Sequence, residues 1–318
     1  MFVIDGHEDI ATTLGRTGRD FGRSETRFSL SLPGLEAGGV RLVLATIFAP
    51  AGAGKKVPPA PEQLSLYREL ASRFPDRVVL VGPDEAIRAP AESDPVRLVL
   101  LIEGADHLAG PEDLDAWIEA GVRAIGLTWN NDNHFAGGVS GEGRLTARGR
   151  DLLEAMEERG LLLDLSHLND ASMDDCLEAY GGRVVASHSN ARAVAPHPRN
   201  LEDRWIEEIG RRNGVIGLNF YRRFLVPESQ GDRHAVFEDL LRHAERMLEK
   251  AGPGVLALGT DFDGGFGPDD AVEGFGRAED LANLGDAFAK RGFAGEAVRG
   301  LTGENWLRVL GGEKPKPK

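Results

Sequence analysis

Six histidines and acids interrupt or close apolar runs along this chain. His7 and Asp9 follow residues 2–6 (FVIDG), Glu103 ends 97–103 (RLVLLIE), and His167 follows 161–166 (LLLDLS). His188 ends 183–188 (RVVASH) and Asp261 ends 254–261 (GVLALGTD). Imidazole and carboxylate are suitable ligands for zinc, and an open coordination position admits a water. His7 and Asp9 are two apart, so on an extended segment they point the same way and could grip one ion. Glu103 could bridge two cations, one oxygen to each; equally, an acid before Gly104 could serve the start of a following helix. Taken singly, His167 and His188 read better as hydrogen-bonded core or rim histidines than as ligands. Five such residues on four strand ends, all on one side, shift that reading toward a metal centre. Asp261 beside a dication could take a proton from a bound water and pass it to a leaving group. The competing turn reading suits Asp263–Gly264 better. Arg199 could hold a substrate carboxylate in bidentate fashion, although spacing alone favours a solvated arginine.

These side chains need elements to bring them together. Besides the runs above, 40–48 (VRLVLATIF), 122–129 (VRAIGLTW) and 214–220 (GVIGLNF) read as strands, which makes eight. Continuous apolar strands without strict alternation suit a parallel sheet covered on both faces. Helical patterns lie between them at 61–74, 147–159 and 234–250. Strand–helix alternation repeated about eight times predicts an α/β fold, a (β/α)8 TIM barrel in a single domain over 1–312, with an open doubly wound sheet as runner-up. In such a barrel the strand ends meet at one mouth, where barrel enzymes place their chemistry. The Gly/Pro-rich stretches 49–59 and 264–275 follow strands and belong at the same face. His107, His134 and His197 lack a strand-end position; His234 and His243 fall on a predicted helix, as does Cys176, read as an inert buried thiol. The tail 313–318 (EKPKPK) reads as disordered. Neither an internal repeat nor a strand–turn–helix setting for a GxGxxG phosphate loop is found.

Composition narrows the partners. With 318 residues, 41% hydrophobic, the chain can bury one large core. A net charge of −14 argues against nucleic acid and against an anionic membrane surface. The single cysteine excludes a disulfide framework within one chain. The start, MFVIDGH, is unlike a signal peptide, and no apolar run approaches 18 residues, so the expected location is cytoplasmic.

The segments DGHEDI (5–10), IEGADHL (102–108), LDLSH (163–167), ASHSNARAV (186–194), HPRN (197–200), GLNFY (217–221), GTDFDGG (259–265) and ENWLRVL (304–310) together resemble the renal (membrane) dipeptidase family, peptidase family M19, a branch of the amidohydrolase-like metal barrels. They come in the family's order and span nearly the whole chain. The resemblance implies that His7 and Asp9 bind a first metal, Glu103 bridges, and His167 and His188 bind a second. It makes Asp261 the acid/base, Arg199 a contact of the substrate carboxylate, and Tyr221 a pocket residue. It implies two Zn2+ ions, with Mn2+ or Co2+ possible from the ligand types, a small dipeptide as substrate, and a homodimer. Two dications against Asp9, Glu103, Asp261 and a bridging hydroxide sum to about zero, a balance that tolerates burial. Some family members also accept a D-configured C-terminal residue or open a β-lactam.

Two departures stand out. Where animal members read Leu-Thr-His after the fourth strand, this chain has Trp129, leaving Asn130, Asn131 or His134 to supply a substrate donor. Neither the secretion signal nor the lipid-anchor tail of the animal enzymes is expected here, so the family's membrane location is not carried over. Trp129 motivates a second reading, hydrolysis of another small amide (an N-acyl amino acid or a lactam) at the same site. A third reading is a barrel that binds metal or ligand without turnover.

Overall fold

The structure is a computed structural model that describes residues 2–51 and 57–312. The expected tail at 313–318 and part of the 49–59 loop lie outside the described residues. Nine strands form one parallel sheet: β1 (Val3–Glu8), β2 (Val40–Phe48), β3 (Val78–Leu80), β4 (Val96–Glu103), β5 (Val122–Gly126), β6 (Leu162–Asp164), β7 (Val184–Ala186), β8 (Val215–Leu218) and β9 (Leu256–Leu258). The path runs β1-β2-β4-β5-β6-β7-β8-β9, with each partner parallel to the last. A parallel bridge between Glu8 and Phe262 draws the ends together. The result is a nearly closed eight-stranded barrel with helices between the strands, a (β/α)8 TIM barrel. The open doubly wound alternative is thereby excluded.

The ninth strand, β3, was not expected. It pairs with the first residues of β4, Val96–Leu98, where β5 has not yet begun its own pairing at Leu100. It therefore lengthens one edge and leaves the barrel count at eight.

Among the described residues twelve α-helices surround the strands: α1 (Ile10–Thr17), α2 (Leu32–Ala37), α3 (Ala60–Arg73), α4 (Leu114–Glu119), α5 (Ala147–Glu158), α6 (Asp170–Ala179), α7 (Asp203–Arg211), α8 (Arg222–Leu225), α9 (Phe237–Ala251), α10 (Leu284–Lys290), α11 (Gly295–Arg299) and α12 (Asn305–Leu310). Their starts follow local chemistry. Thr146 Oγ1 accepts the Gly149 amide at 3.0 Å before α5, and Asn169 Oδ1 accepts the Ser172 amide at 2.8 Å before α6. The helix expected from 234 begins only at Phe237, so His234 is an exposed loop residue and His243 alone lies on α9. Cys176 lies buried on α6, as expected.

Two apolar layers hold the barrel. The larger packs the outer strand faces against the helices; the smaller fills the barrel's interior with Ile4, Leu42, Leu44, Val99, Leu101 and their neighbours. Trp306, from α12, enters this inner layer and donates its indole N–H to Leu258 O at 2.8 Å. Gly6 makes room: a Cβ there would lie 2.1 Å from the Trp306 ring. Among the described residues no helix is long and apolar enough to cross a membrane.

Candidate metal centre

All six sequence-selected histidines and acids converge at the C-terminal mouth, each less than a tenth exposed. His7 Nε2 lies 3.5 Å from Glu103 Oε2 and 3.9 Å from Asp9 Oδ2. The other Glu103 oxygen, Oε1, lies 3.0 Å from His167 Nε2 and 3.9 Å from His188 Nε2. Three groups could therefore hold an ion: His7, Asp9 and Glu103; Glu103, His167 and His188; and His7, His188 and Asp261. Glu103 belongs to two of them, with a different oxygen turned to each side.

The strands alone do not aim these groups. β6, β7 and β9 end at Asp164, Ala186 and Leu258, so His167 follows its strand as expected, while His188 and Asp261 stand beyond the ladder rather than ending it. His167 (φ 71°) and Asp261 (φ 64°) adopt the left-handed backbone that non-glycine residues rarely enter. Such strain persists only where surroundings enforce it. The enforcing groups are two aspartates used in the same way. Asp5 Oδ1 accepts the amides of His7 (3.2 Å) and Thr260 (2.9 Å), while Oδ2 accepts the Thr260 hydroxyl at 2.6 Å. Asp164 Oδ1 accepts the amides of Ser166 (3.1 Å) and Ser187 (2.9 Å), and Oδ2 accepts the Ser187 hydroxyl at 2.5 Å. Each carboxylate thus ties the amide two residues on to a neighbouring strand end and replaces the ladder where the ligands splay outward.

Further hydrogen bonds fix the side chains. Thr46 donates its hydroxyl to Asp9 Oδ1 at 2.6 Å, and Asn219 donates Nδ2 to Asp261 Oδ2 at 2.9 Å. His167 Nδ1 lies 2.8 Å from Asn130 Oδ1. The Nδ1 atoms of His7 and His188 both face Ser187 Oγ. With every Nδ1 engaged by an oxygen, the three Nε2 atoms look into the shared space. His167 Nε2 and His188 Nε2 approach to 2.9 Å, and His7 Nε2 has no hydrogen-bond partner.

The electrostatics point the same way. Burial raises Asp9 to about 7, helped by Glu103, and raises Glu103 to about 8, with Arg199 opposing. Burial pushes Asp261 well above the usual carboxylate range and holds His167 and His188 well below the usual imidazole range. The cluster resists both anionic carboxylates and cationic imidazoles. Divalent cations relieve the first and use the neutral lone pairs of the second, so the donor set fits them.

A cavity opens above the cluster, and Trp129, Asn130, Arg199 and Tyr221 all line it. Arg199 is only 6% exposed, so the solvated reading fails: its Nη2 donates to His188 O at 3.3 Å, and its Nε is unpartnered. Tyr221 stacks on Phe266 with ring centroids 4.7 Å apart. Trp129 meets Phe48 edge-on at 5.2 Å. Asn130 supports His167 as well as facing the cavity. His134 takes no part, because its Nε2 pairs with Leu108 O at 3.0 Å and it does not line the cavity; Asn131 does. Both Gly/Pro-rich loops reach the mouth through Pro50, Ala51 and Val57 and through Gly264 and Gly265. Asp263 also lines the cavity, with its carboxylate held in an ion pair with Arg19 and accepting the Ser29 amide at 3.0 Å. Asp5, Thr46, Asp164, Ser187 and Asn219 were missed by sequence reasoning. A charged residue inside an apolar run, as in FVIDG and LLLDLS, was the available signal.

The family model for membrane dipeptidase (peptidase family M19) matches residues 1–316. The chain belongs to the membrane dipeptidase family. Membership makes it a metallopeptidase that hydrolyses dipeptides. It is 33% identical to an uncharacterized Klebsiella pneumoniae protein over 258 residues, 78% of this chain and 94% of that one. It is 31% identical to an uncharacterized dipeptidase of Schizosaccharomyces pombe over 261 residues, 78% of this chain but only 61% of the yeast protein. A solved metallopeptidase of Rhodobacter sphaeroides, bound to a phosphinate mimic of L-Ala-D-Ala, matches with TM-score 0.83 at 27% identity, covering 98% of both chains.

Proposed function

We propose that the mouth is a binuclear zinc centre that hydrolyses the amide bond of small dipeptides. His7 and Asp9 would hold one ion, His167 and His188 the other, and Glu103 would span both. The observation carrying this reading is the split of the two Glu103 oxygens between separate imidazole groups. When bound, such ions supply Lewis acidity and can lower the pKa of a water from 15.7 to about 7. Zinc suits imidazole and carboxylate, and Mn2+ or Co2+ would also be accommodated.

Asp261 is the acid/base of the proposal. Its Oδ2 is held by Asn219; as the carboxylate it would accept the proton of the attacking water, and as the acid it would return that proton to the departing amine. Arg199 would take the substrate's C-terminal carboxylate, since its buried guanidinium belongs to a residue that lines the cavity beside the cluster. Tyr221 and Trp129 would shape the apolar walls. The Rhodobacter protein binds a phosphinate mimic of the dipeptide L-Ala-D-Ala, which supports a dipeptide as the substrate here.

The test is turnover of a dipeptide panel, resolved by stereochemistry, with metal content measured on the same sample. Hydrolysis lost to a chelator and restored by Zn2+ is expected; no turnover by the fully loaded protein would overturn the reading. The bulk of Trp129 in the cavity favours one alternative, another small amide such as an N-acyl amino acid or a lactam. Unchanged activity in Arg199→Ala would mean that no free carboxylate is being read.

A further inference from the structure

Ser187 occupies a position that the metal-ligand assignment does not explain. It is fully buried, and its single hydroxyl lies 3.0 Å from His7 Nδ1, 2.8 Å from His188 Nδ1 and 2.5 Å from Asp164 Oδ2. The two imidazoles belong to different halves of the centre. Thr260, its counterpart on Asp5, receives no imidazole: its hydroxyl donates to Asp5 and meets only the Phe262 amide, at 3.4 Å.

Hydrogen-bond capacity makes this contact directional. A serine hydroxyl donates once and accepts twice, and an ionised carboxylate only accepts. Asp164 Oδ1 already receives two backbone amides, so its Oδ2 takes the Ser187 proton. Ser187 Oγ then has only lone pairs left for the rings. Both imidazoles must donate from Nδ1, which leaves the lone pair of each on Nε2, turned toward the Glu103 cluster. Partners of this kind fix the tautomer and raise the basicity of metal-binding histidines.

We propose that Ser187, oriented by Asp164, is a positioning residue that sets the tautomer of His7 and His188 together and so couples the two metal half-sites. The inference rests on the binuclear reading above. It differs from it in predicting how the sites respond to a residue that touches no metal.

Two substitutions separate this role from simple packing. Ser187→Ala frees both rings, so the affinity of both half-sites falls, each by about 10–100-fold. Asp164→Asn keeps the shape and reverses the direction. Its Oδ1 must still accept the two amides, so its amide nitrogen donates to Ser187 Oγ. The serine proton then turns to one ring, which must carry its own proton on Nε2. Only one half-site should weaken.

The probes are Zn2+ in competition with a chelator, the visible spectrum on stepwise Co2+ addition, and ring 15N shifts of the metal-free protein. Both rings should be Nδ1-protonated in the natural chain, and one should switch in Asp164→Asn. Ser187→Ala weakening one half-site or neither, or Asp164→Asn leaving both tautomers unchanged, overturns the proposal. If Ser187→Ala does not fold, Asp164→Asn alone decides. A chain that loads two ions but cleaves no dipeptide sinks the proposed function and leaves this inference standing. A natural chain that binds fewer than two ions removes both.

Discussion

The two ends of the barrel interior are built from the same strands on opposite plans. Below the ligands, the interior is aliphatic, and Trp306 from α12 packs into it beside Gly6 and Leu258. Toward the strand ends it holds three imidazoles and three carboxylates, nearly all excluded from water. The lower half stabilises the fold through apolar burial and needs no ligand. The upper half opposes its own charges, so it gains most when cations arrive. Binding capacity and stability are therefore kept on separate levels of one sheet, and each can be damaged without the other.

Four experiments can break or sharpen that separation. The largest expected effect is at Glu103. Glu103→Gln retains the shape but weakens the shared ligand, and losing metal-assisted charge stabilisation of several kcal/mol should cost on the order of 10³-fold in kcat/KM. Metal content should fall while thermal unfolding of the metal-free protein stays intact. Next is Asp261→Asn, expected to lower kcat by about 10²–10⁴-fold with both ions retained, as elemental analysis of the assayed sample would show. Trp306→Ala should do the reverse: about 3–5 kcal/mol of stability lost in denaturant titration, with metal stoichiometry of the folded fraction unchanged. The fourth effect is Arg199→Ala. Removing a charge-assisted contact of about 1.5–3 kcal/mol should lower kcat/KM roughly 10–100-fold for dipeptides, and far less for substrates with a blocked C-terminus.

The same separation has a pH signature. Asp9 and Glu103 titrate near 3.8 and 4.5 when free but are raised to about 7 and about 8 by burial in the metal-free fold. Between those values the folded chain binds more protons than the unfolded one, so stability falls as pH rises. The metal-free protein should thus be most stable below about pH 4 with respect to these groups and lose that contribution up to about pH 8. Saturating Zn2+ should flatten the slope over this window; an equally steep slope in the loaded protein would show that the carboxylates do not face the ions.

What could be read from the residues alone follows the same division. Aliphatic runs such as VRLVLATIF and RLVLLIE mark β2 and β4 over nearly their full lengths, because burial on both faces forces a continuous apolar pattern. The short strand β3 escaped because Val78–Leu80 is too brief for any periodicity to show. The ligands were legible as polar residues where apolar runs stop. Their aiming was not: His167 and Asp261 have positive φ beside hydrogen bonds that join different strands, from Asp164 to Ser187 and from Asp5 to Thr260. The burial of Arg199 was hidden from spacing for a related reason, since nothing in HPRN reveals that its guanidinium will reach the backbone carbonyl of His188.

Anomalous diffraction at the zinc edge from crystals of the zinc-loaded protein tests the central claim most directly. Two peaks roughly 3.5–4 Å apart are predicted, with Glu103 between them, His7 on one side and His167 with His188 on the other. A single peak, or two peaks of which one does not touch Glu103, would contradict the account.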